Sequence, residues 1–283
     1  MHNVGPTHEC QLKVTALLHY YSTTETMKEQ LTIIKVSGKI VERPEALKTF
    51  VREFAAIKGR KILIHSGADL AGKVGKRMGI KTLLIDGRPV VDENTLKLLT
   101  MVYGGLVNKQ FVALLQARKV NALGVTGADL NLMQSVRTPM GEHDMGWTGA
   151  IRQVNAQAIS NLLDQDIVPV IAPITHDGSC NLLFNETDSM AAETAKALAL
   201  RYEVRLIYCF EKNGVLLNVD DNDSVIAVLK RTQYKNMREM DLIKDWFVNK
   251  LDNAFSAIDH GVKEVLITNA ANLANPELGT HIK

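Results

Sequence analysis

Two stretches of this chain share one design, and together they narrow the fold. Ile33-Ile34-Lys35-Val36-Ser37-Gly38-Lys39 is an apolar strand running into small residues, and Lys61-Ile62-Leu63-Ile64-His65-Ser66-Gly67-Ala68-Asp69 repeats the pattern. Between them Pro44 and Glu45 suit a first helical turn, Leu47, Phe50, Val51 and Phe54 recur at helical spacing, and Gly59 ends the helix. Strand, helix and strand in that order predict a β-α-β unit. With a second helix after Ser66-Gly67, the alternation predicts an α/β protein, a three-layer αβα sandwich around a mainly parallel central sheet.

Each strand empties into a turn with little side chain to cover its backbone N–H groups, so an anion such as a phosphoryl group can approach. Two such turns side by side would cradle one phosphoryl group. Lys35 then reads either as a cation for that anion or as a lysine reaching solvent from an edge strand. Neither turn is a Walker A loop, because Gly-x-x-x-x-Gly-Lys-Ser/Thr does not occur in the chain.

The chain has 283 residues, enough for one large or two modest domains. A net charge of +2 excludes a nucleic-acid surface built on bulk electrostatics. Cys10, Cys180 and Cys209 are distant from one another and form no CxxC pair, which fits a reducing cytoplasm and implies no structural zinc. No uninterrupted apolar run of membrane-spanning length is visible, and the expectation is a cytoplasmic protein without a membrane partner.

Residues 1–26 are polar, apart from Val14 to Leu18, and read as an N-terminal extension. Gly72, Gly75 and Gly79 among Lys73, Lys76 and Arg77 leave a basic loop or a helix open. Asp86-Gly87 signals a hairpin that places Arg88 on a rigid corner. Asp92 caps a long helix to about Arg118, interrupted at Gly104-Gly105. Val120 to Val125 reads as a strand, Thr126 to Gly149 as a β-ribbon or loop region, and Ile167 to Ala172 as a buried strand made irregular by Pro169. Asp177-Gly178 marks a further hairpin. Asp188 stands at the N-cap of an alanine-rich helix, where it is either a plain cap or a partner for Lys35. Val204 to Phe210 and Val262 to Thr268 read as strands, with a helix carrying Phe247, Leu251, Phe255 and Ile258 between them. Lys250 near the start of that helix opposes the helix dipole, so it either snorkels to solvent or faces an anion.

These motifs, in their order, resemble the amino acid kinase family over nearly everything after Met27. The matching residues are Lys35-Val36-Ser37-Gly38, His65-Ser66-Gly67-Ala68, Gly87-Arg88, Asp144 through Gly149, Val168-Pro169-Val170 leading to Asp188, Lys250 and its helix, and Leu278-Gly279-Thr280. The resemblance implies transfer of the ATP γ-phosphoryl group, with Mg²⁺ arriving on the nucleotide, to the γ-carboxylate of an N-acyl-L-glutamate in arginine biosynthesis. It implies that Lys35 and Lys250 neutralise the migrating group and Asp188 orients them. Gly38, Ser66, Gly67 and Ala68 would bind the phosphoryl and acceptor side, Arg88 the acceptor's α-carboxylate, and Phe184 and Asn185 would lie in the acceptor pocket. Ser37, Phe210, Glu211, Asn213 and Gly214 would face the nucleotide. It further implies an acyl-glutamate and dimerisation half at 27–203, an ATP half at 204–283, and a homodimer through the helix beginning near Asp92.

The implied chemistry is physically coherent, since a carboxylate acceptor is already ionised and phosphoryl transfer needs charge and alignment rather than a general base. Departures from the family pattern concentrate at the acceptor. Ser37-Gly38 replaces two glycines, Ser66-Gly67-Ala68 replaces three, and Phe184 and Glu186 stand where asparagines are common. The acyl group is therefore expected to be acetyl or, with the pocket remodelled, succinyl. A related phosphotransferase for carbamate, aspartate or a nucleotide, and a non-catalytic sensor of acylated amino acids or arginine, are the alternatives.

Overall fold

The structure is a computed structural model that describes residues 28–85, 88–138, 143–218, 220–243, 245–275 and 277–283. The N-terminal extension and the Asp86-Gly87 turn lie outside these residues.

Strand β1 (Gln30–Val36) leads through α1 (Gly38–Glu42) and α2 (Pro44–Ala56) to β2 (Arg60–His65) and α3 (Ala68–Arg77). The glycine-bearing basic segment is thus a helix. β3 (Leu84–Ile85) and β4 (Arg88–Pro89) pair antiparallel on either side of the expected turn. Helix α4 (Glu93–Gln116) follows, capped as expected by Asp92, whose Oδ1 accepts from the Thr95 N–H at 2.7 Å. Gly104-Gly105 does not break it. The backbone widens to π-helical geometry over Thr100–Val107 and continues, with Val102, Tyr103 and Val107 buried. Such segments often mark functional sites. With mean hydropathy 1.4, α4 is long and apolar enough to cross a bilayer, yet its Leu98, Val102, Phe111 and Leu115 pack into the core.

Next come β5 (Ala122–Thr126), β6 (Met133–Arg137), β7 (Gly149–Val154), α5 (Ala156–Leu163), β8 (Val168–Ala172), β9 (Ile174–His176), β10 (Leu182–Phe184) and α6 (Thr187–Ala199). The chain closes with β11 (Glu203–Phe210), β12 (Val228–Leu229), α7 (Arg231–Glu239), α8 (Asp245–Asp259), β13 (Glu264–Asn269) and β14 (Thr280–Ile282).

Eight strands form the central sheet in the order β12-β14-β13-β11-β1-β2-β8-β5. Pairings among β13, β11, β1, β2, β8 and β5 are parallel, and β14 runs antiparallel to β13. Ile33, Ile62, Leu206 and Tyr208 point to one face, under α5, α6 and α8; Ile34, Leu63, Val170 and Ile207 point to the other, under α2 and α4. This is the expected three-layer sandwich, and burial on both faces explains why its central strands read as unbroken apolar runs. Pro169 precedes the β2–β8 register, which begins at Val170, so its missing N–H breaks no rung there. From β1 the chain winds outward through β2, while β11 returns to the opposite side of β1. The β1–β11 boundary is therefore a switch point, and ligands bind beyond the carboxyl ends of strands at such a place.

A separate four-stranded sheet has the order β10-β9-β6-β7, and Gly149, Ile151 and Phe184 from its β7 and β10 line a cavity together with Arg88. Much of the expected ribbon is the β6–β7 pair, and the Asp177-Gly178 hairpin joins β9 to β10. Trp147 locks the ribbon in place, its N–H donating to the Val91 carbonyl at 2.7 Å while its carbonyl accepts from Phe184 N–H at 2.9 Å.

Candidate active site

Lys35 is the penultimate residue of β1, Asp188 lies in the first turn of α6, and Lys250 in the second turn of α8. The three meet at the switch point. Asp188 Oδ1 is 2.7 Å from Lys35 Nζ, and its Oδ2 accepts from Lys250 Nζ at 2.8 Å. Both lysines are buried, at 6% and 5% exposure, so neither reaches solvent from an edge. Asp188 is not the N-cap, a position that Glu186 occupies without a capping hydrogen bond. Two residues further into the helix, its carboxylate turns to the lysines instead of the helix N–H groups.

Burial alone would raise the Asp188 carboxyl, but Lys250 and Lys35 overcome that and hold it well below the usual carboxylate range. Burial lowers Lys250 to about 8, against the opposing pull of Asp188 and with the help of Lys35. Tyr208 forms the floor, its hydroxyl donating to the Asp188 carbonyl at 3.0 Å and its ring 5.0 Å from Lys250 Nζ. One carboxylate thus holds two ammonium groups and leaves the cluster with a net positive charge, an arrangement suited to a dense anion.

The two small-residue turns do lie side by side. A Cβ placed on Gly38 would stand 3.2 Å from the Ala68 nitrogen and 3.7 Å from that of Gly67. Not every N–H expected there is free. Ser37 N–H donates to the Cys209 carbonyl at 3.0 Å and Ser66 N–H to the Val36 carbonyl at 3.1 Å, which continue the sheet. Ser37 Oγ, in contrast, is buried without a hydrogen-bond partner at the mouth of the first turn.

Arg88 does not share one undivided pocket with the turns, whereas Phe184 borders theirs. Ser66, Ala68 and Asp188 line a cavity of about 800 Å³ that also takes in Lys76, Lys81 and Tyr103. Arg88 lines a neighbouring cavity of about 400 Å³ with Thr148, Asn185 and Asn253. Pro89, Phe184 and Glu186 border both. Glu186 holds Arg88, Oε1 to Nε at 3.4 Å, so a carboxylate of the chain itself sits against the guanidinium expected to receive one. Asn185 is otherwise engaged. Its Nδ2 donates to the Gly149 carbonyl at 2.8 Å and its Oδ1 accepts from Thr175 Oγ1 at 2.6 Å, inside a buried network with Ser135.

On the far side of the triad, Phe210, Glu211, Gly214, Met237, Ile243 and Phe247 line a more apolar cavity of about 250 Å³. Glu211 accepts from Lys39 Nζ at 3.0 Å. Asn213 is not part of that lining; its carboxamide is tied to Asn269 and to the Asn222 carbonyl. Sequence reasoning passed over Tyr103, whose hydroxyl meets the Ser66 side chain and the Gly67 backbone, with burial raising it to about 12. It was visible only as one of several apolar residues on a helix face. Among the described residues no group of three or more His, Cys, Asp and Glu side chains converges as metal ligands.

The amino acid kinase family profile matches residues 30–269. The chain belongs to the amino acid kinase family. It is 49% identical over 245 residues to the acetylglutamate kinase of Parabacteroides distasonis, covering 87% of this chain and 96% of that protein. It is 48% identical to the acetylglutamate kinase of Bacteroides thetaiotaomicron, covering 91% of this chain and all of the other. Identity to the Methanopyrus kandleri acetylglutamate kinase is 33%, over 86% of this chain and 96% of that protein. Among solved structures, N-acetylglutamate synthase from Neisseria gonorrhoeae superposes with a TM-score of 0.76 at 19% identity, over 98% of this chain and 63% of that one. Carbamate kinase from Giardia lamblia gives 0.65 at 12%, over 91% and 98%. At such identities these two speak for the amino acid kinase fold alone.

Proposed function

We propose that this protein transfers the γ-phosphoryl group of ATP to the γ-carboxylate of an N-acyl-L-glutamate, as an acetylglutamate kinase of arginine biosynthesis. The observation that carries the reading is the buried Lys35–Asp188–Lys250 bridge at the sheet's switch point, opposite two turns whose Gly67 and Ala68 nitrogens face Gly38. Identity near one half to acetylglutamate kinases over most of the chain supports the acceptor class.

In this reading the two ammonium groups neutralise charge on the migrating phosphoryl while the turn amides hold its other oxygens. No proton need be removed from the acceptor, so no general base is assigned. The adenine and ribose would enter the cavity lined by Phe210, Glu211 and Gly214, and the acyl-glutamate the cavities around Ser66 and Arg88, with Arg88 leaving Glu186 for the α-carboxylate. Mg²⁺ comes as part of MgATP, because both Asp188 oxygens are already engaged. The acyl group is acetyl or succinyl. Lys76 and Lys81, lining the 800 Å³ cavity, offer positive charge to the distal carboxylate of the latter.

The work divides near residue 203, at the start of β11, into an acyl-glutamate half and an ATP half. Two copies associate through α4, where Met101 and Leu106 are more than half exposed. A cytoplasmic setting fits the free thiols of Cys180 and Cys209. The test is ADP release by the purified protein with N-acetylglutamate, N-succinylglutamate, carbamate and aspartate as acceptors. Turnover on an acyl-glutamate alone is expected, and turnover confined to carbamate or aspartate would overturn the assignment.

A further inference from the structure

β2 ends on His65, whose ring is shut away from water and packs on Phe111 of α4 with centroids 5.4 Å apart. A buried imidazole needs a partner at each nitrogen or forfeits those hydrogen bonds. Both are present. Asn108, where α4 passes from π to α geometry, brings Nδ2 to 3.2 Å from His65 Nε2, and His65 Nδ1 lies 3.3 Å from the Ser66 carbonyl oxygen.

The Asn108 carboxamide is oriented by its other neighbours. Its Nδ2 also donates to the Val170 carbonyl at 2.8 Å, while its Oδ1 accepts from Lys109 Nζ at 3.1 Å. Lys109 in turn donates to the Gly124 carbonyl at 2.9 Å. Turning the carboxamide over would set its oxygen against a carbonyl oxygen and its NH₂ against an ammonium. A Cβ on Gly124 would collide with Asn108 Oδ1, so glycine is what lets this side chain lie against β5.

Asn108 Nδ2 also lies 3.4 Å from the Val125 carbonyl, farther than His65 Nε2, and it turns only N–H groups toward the ring, so an unprotonated Nε2 suits it and the ring proton belongs on Nδ1, toward the Ser66 carbonyl. A trans peptide is planar, so fixing that carbonyl also fixes the Gly67 N–H, which points the opposite way within the turn. There the Gly67 and Ala68 nitrogens lie 3.7 and 3.2 Å from the point where a Gly38 Cβ would be. Tyr103, also from α4, holds the other side of the same turn. Burial lowers His65 to about 4, with the charge of Lys109 adding to the effect, so the ring is neutral near pH 7.

We propose that His65 is a positioning residue for phosphoryl transfer, its Nδ1 proton pinning the Ser66 carbonyl so that the Gly67 and Ala68 amides face the migrating group, with Asn108 selecting the tautomer that does so. This rests on the kinase reading above. α4, the helix offered for subunit association, then reaches the phosphoryl site through Asn108 and Tyr103.

The experiment compares two substitutions in the full-length protein. His65→Asn keeps an N–H donor near the Nδ1 position, whereas His65→Gln offers one only near Nε2. His65→Gln is expected to lower kcat about 10²-fold, as for a lost preorganised amide donor, with KM values within about threefold of the original. His65→Asn should recover to within about tenfold of the unmodified protein. Equal kcat values for the two variants overturn the proposal. The tautomer is read independently of activity and of variant folding, by ¹⁵N NMR of the histidine rings in the unmodified protein. The His65 ring should be protonated on Nδ1 and unchanged from about pH 6 to 8; protonation on Nε2, or titration in that interval, overturns the proposal. Failure of the unmodified protein to phosphorylate any acyl-glutamate would overturn the kinase reading instead, and leave the tautomer measurement standing.

Discussion

Replacing Asp188 by asparagine removes, at nearly constant volume, the negative charge that Lys35 and Lys250 share. With charge centres about 4 Å apart and an effective dielectric of about 20, each attraction is about 332/(20 × 4), roughly 4 kcal/mol, or about three pK units at 1.36 kcal/mol each. Lys250, held near 8 with the carboxylate in place, would drop to around 5 without it. At pH 7 its charged fraction then falls from about nine-tenths to about one-hundredth, so kcat/KM, which reports the free enzyme, should fall about 10²-fold. The pH dependence changes with it. Activity of the unmodified protein should decline as pH rises through about 8, an apparent value belonging to the coupled groups, whereas the variant should be most active in acid and lose activity from about pH 5 upward. Stability moves in the opposite sense. Below pH 5 the variant buries two charged lysines without a counter-charge, at a cost of about 3–5 kcal/mol. As pH rises the folded lysine discharges while the unfolded one stays protonated, so stability recovers. Rates of ADP release and urea unfolding over about pH 4.5–9 measure these effects. An Asp188→Asn rate within about threefold of the original at pH 7, or a lowered rate that is flat in pH, would refute the reasoning.

Arg88→Ala should raise KM for the acyl-glutamate by about 10- to 150-fold, equivalent to roughly 1.5–3 kcal/mol for a hydrogen bond to a charged group, with kcat little changed; an unaltered KM would remove Arg88 from the acceptor site. Gly38→Ala puts a methyl 3.2 Å from the Ala68 nitrogen, in the space assigned to a phosphoryl oxygen. Its kcat/KM should fall at least tenfold while urea unfolding shifts by less than about 1 kcal/mol, since alanine suits a helix better than glycine; full activity would place the phosphoryl elsewhere. Between acyl groups, Lys76→Ala with Lys81→Ala should lower kcat/KM for N-succinylglutamate more than for N-acetylglutamate; an equal effect on both, or a clear preference of the unmodified protein for acetyl, disposes of the succinyl idea.

What could be read from the chain divides along physical lines. The β-α-β frame was legible because strands buried on both faces leave long apolar runs, and Ile33 and Ile34 had to serve both layers. Helix α7 left almost no trace, since Tyr234 is its one buried residue and there is no apolar stripe to find. Gly104-Gly105 looked like an interruption because glycine weakens α-helix; packing of Val102, Tyr103 and Val107 instead holds a widened helix there. The partnership of Lys35, Asp188 and Lys250 was carried by family resemblance, since the sequence separates Asp188 and Lys250 by 62 positions and its helix-end signals left each with two readings, cap or partner for Asp188 and solvent or anion for Lys250. Asn185 and Asn213 show the reverse error. Polar residues beside a cleft look like ligand contacts, but a buried carboxamide must satisfy its own hydrogen bonds first, and these two do so with Gly149, Thr175, Asn269 and Asn222. His65 and Asn108 obey the same requirement and arrive at a different result. Their hydrogen bonds are satisfied through four elements at once, and the last acceptor in the series is the carbonyl of the turn itself. No local pattern encodes such a series, because each residue in it is a lone polar side chain among apolar neighbours. Only the packed sheet makes the proton on one imidazole nitrogen decide where a peptide N–H points.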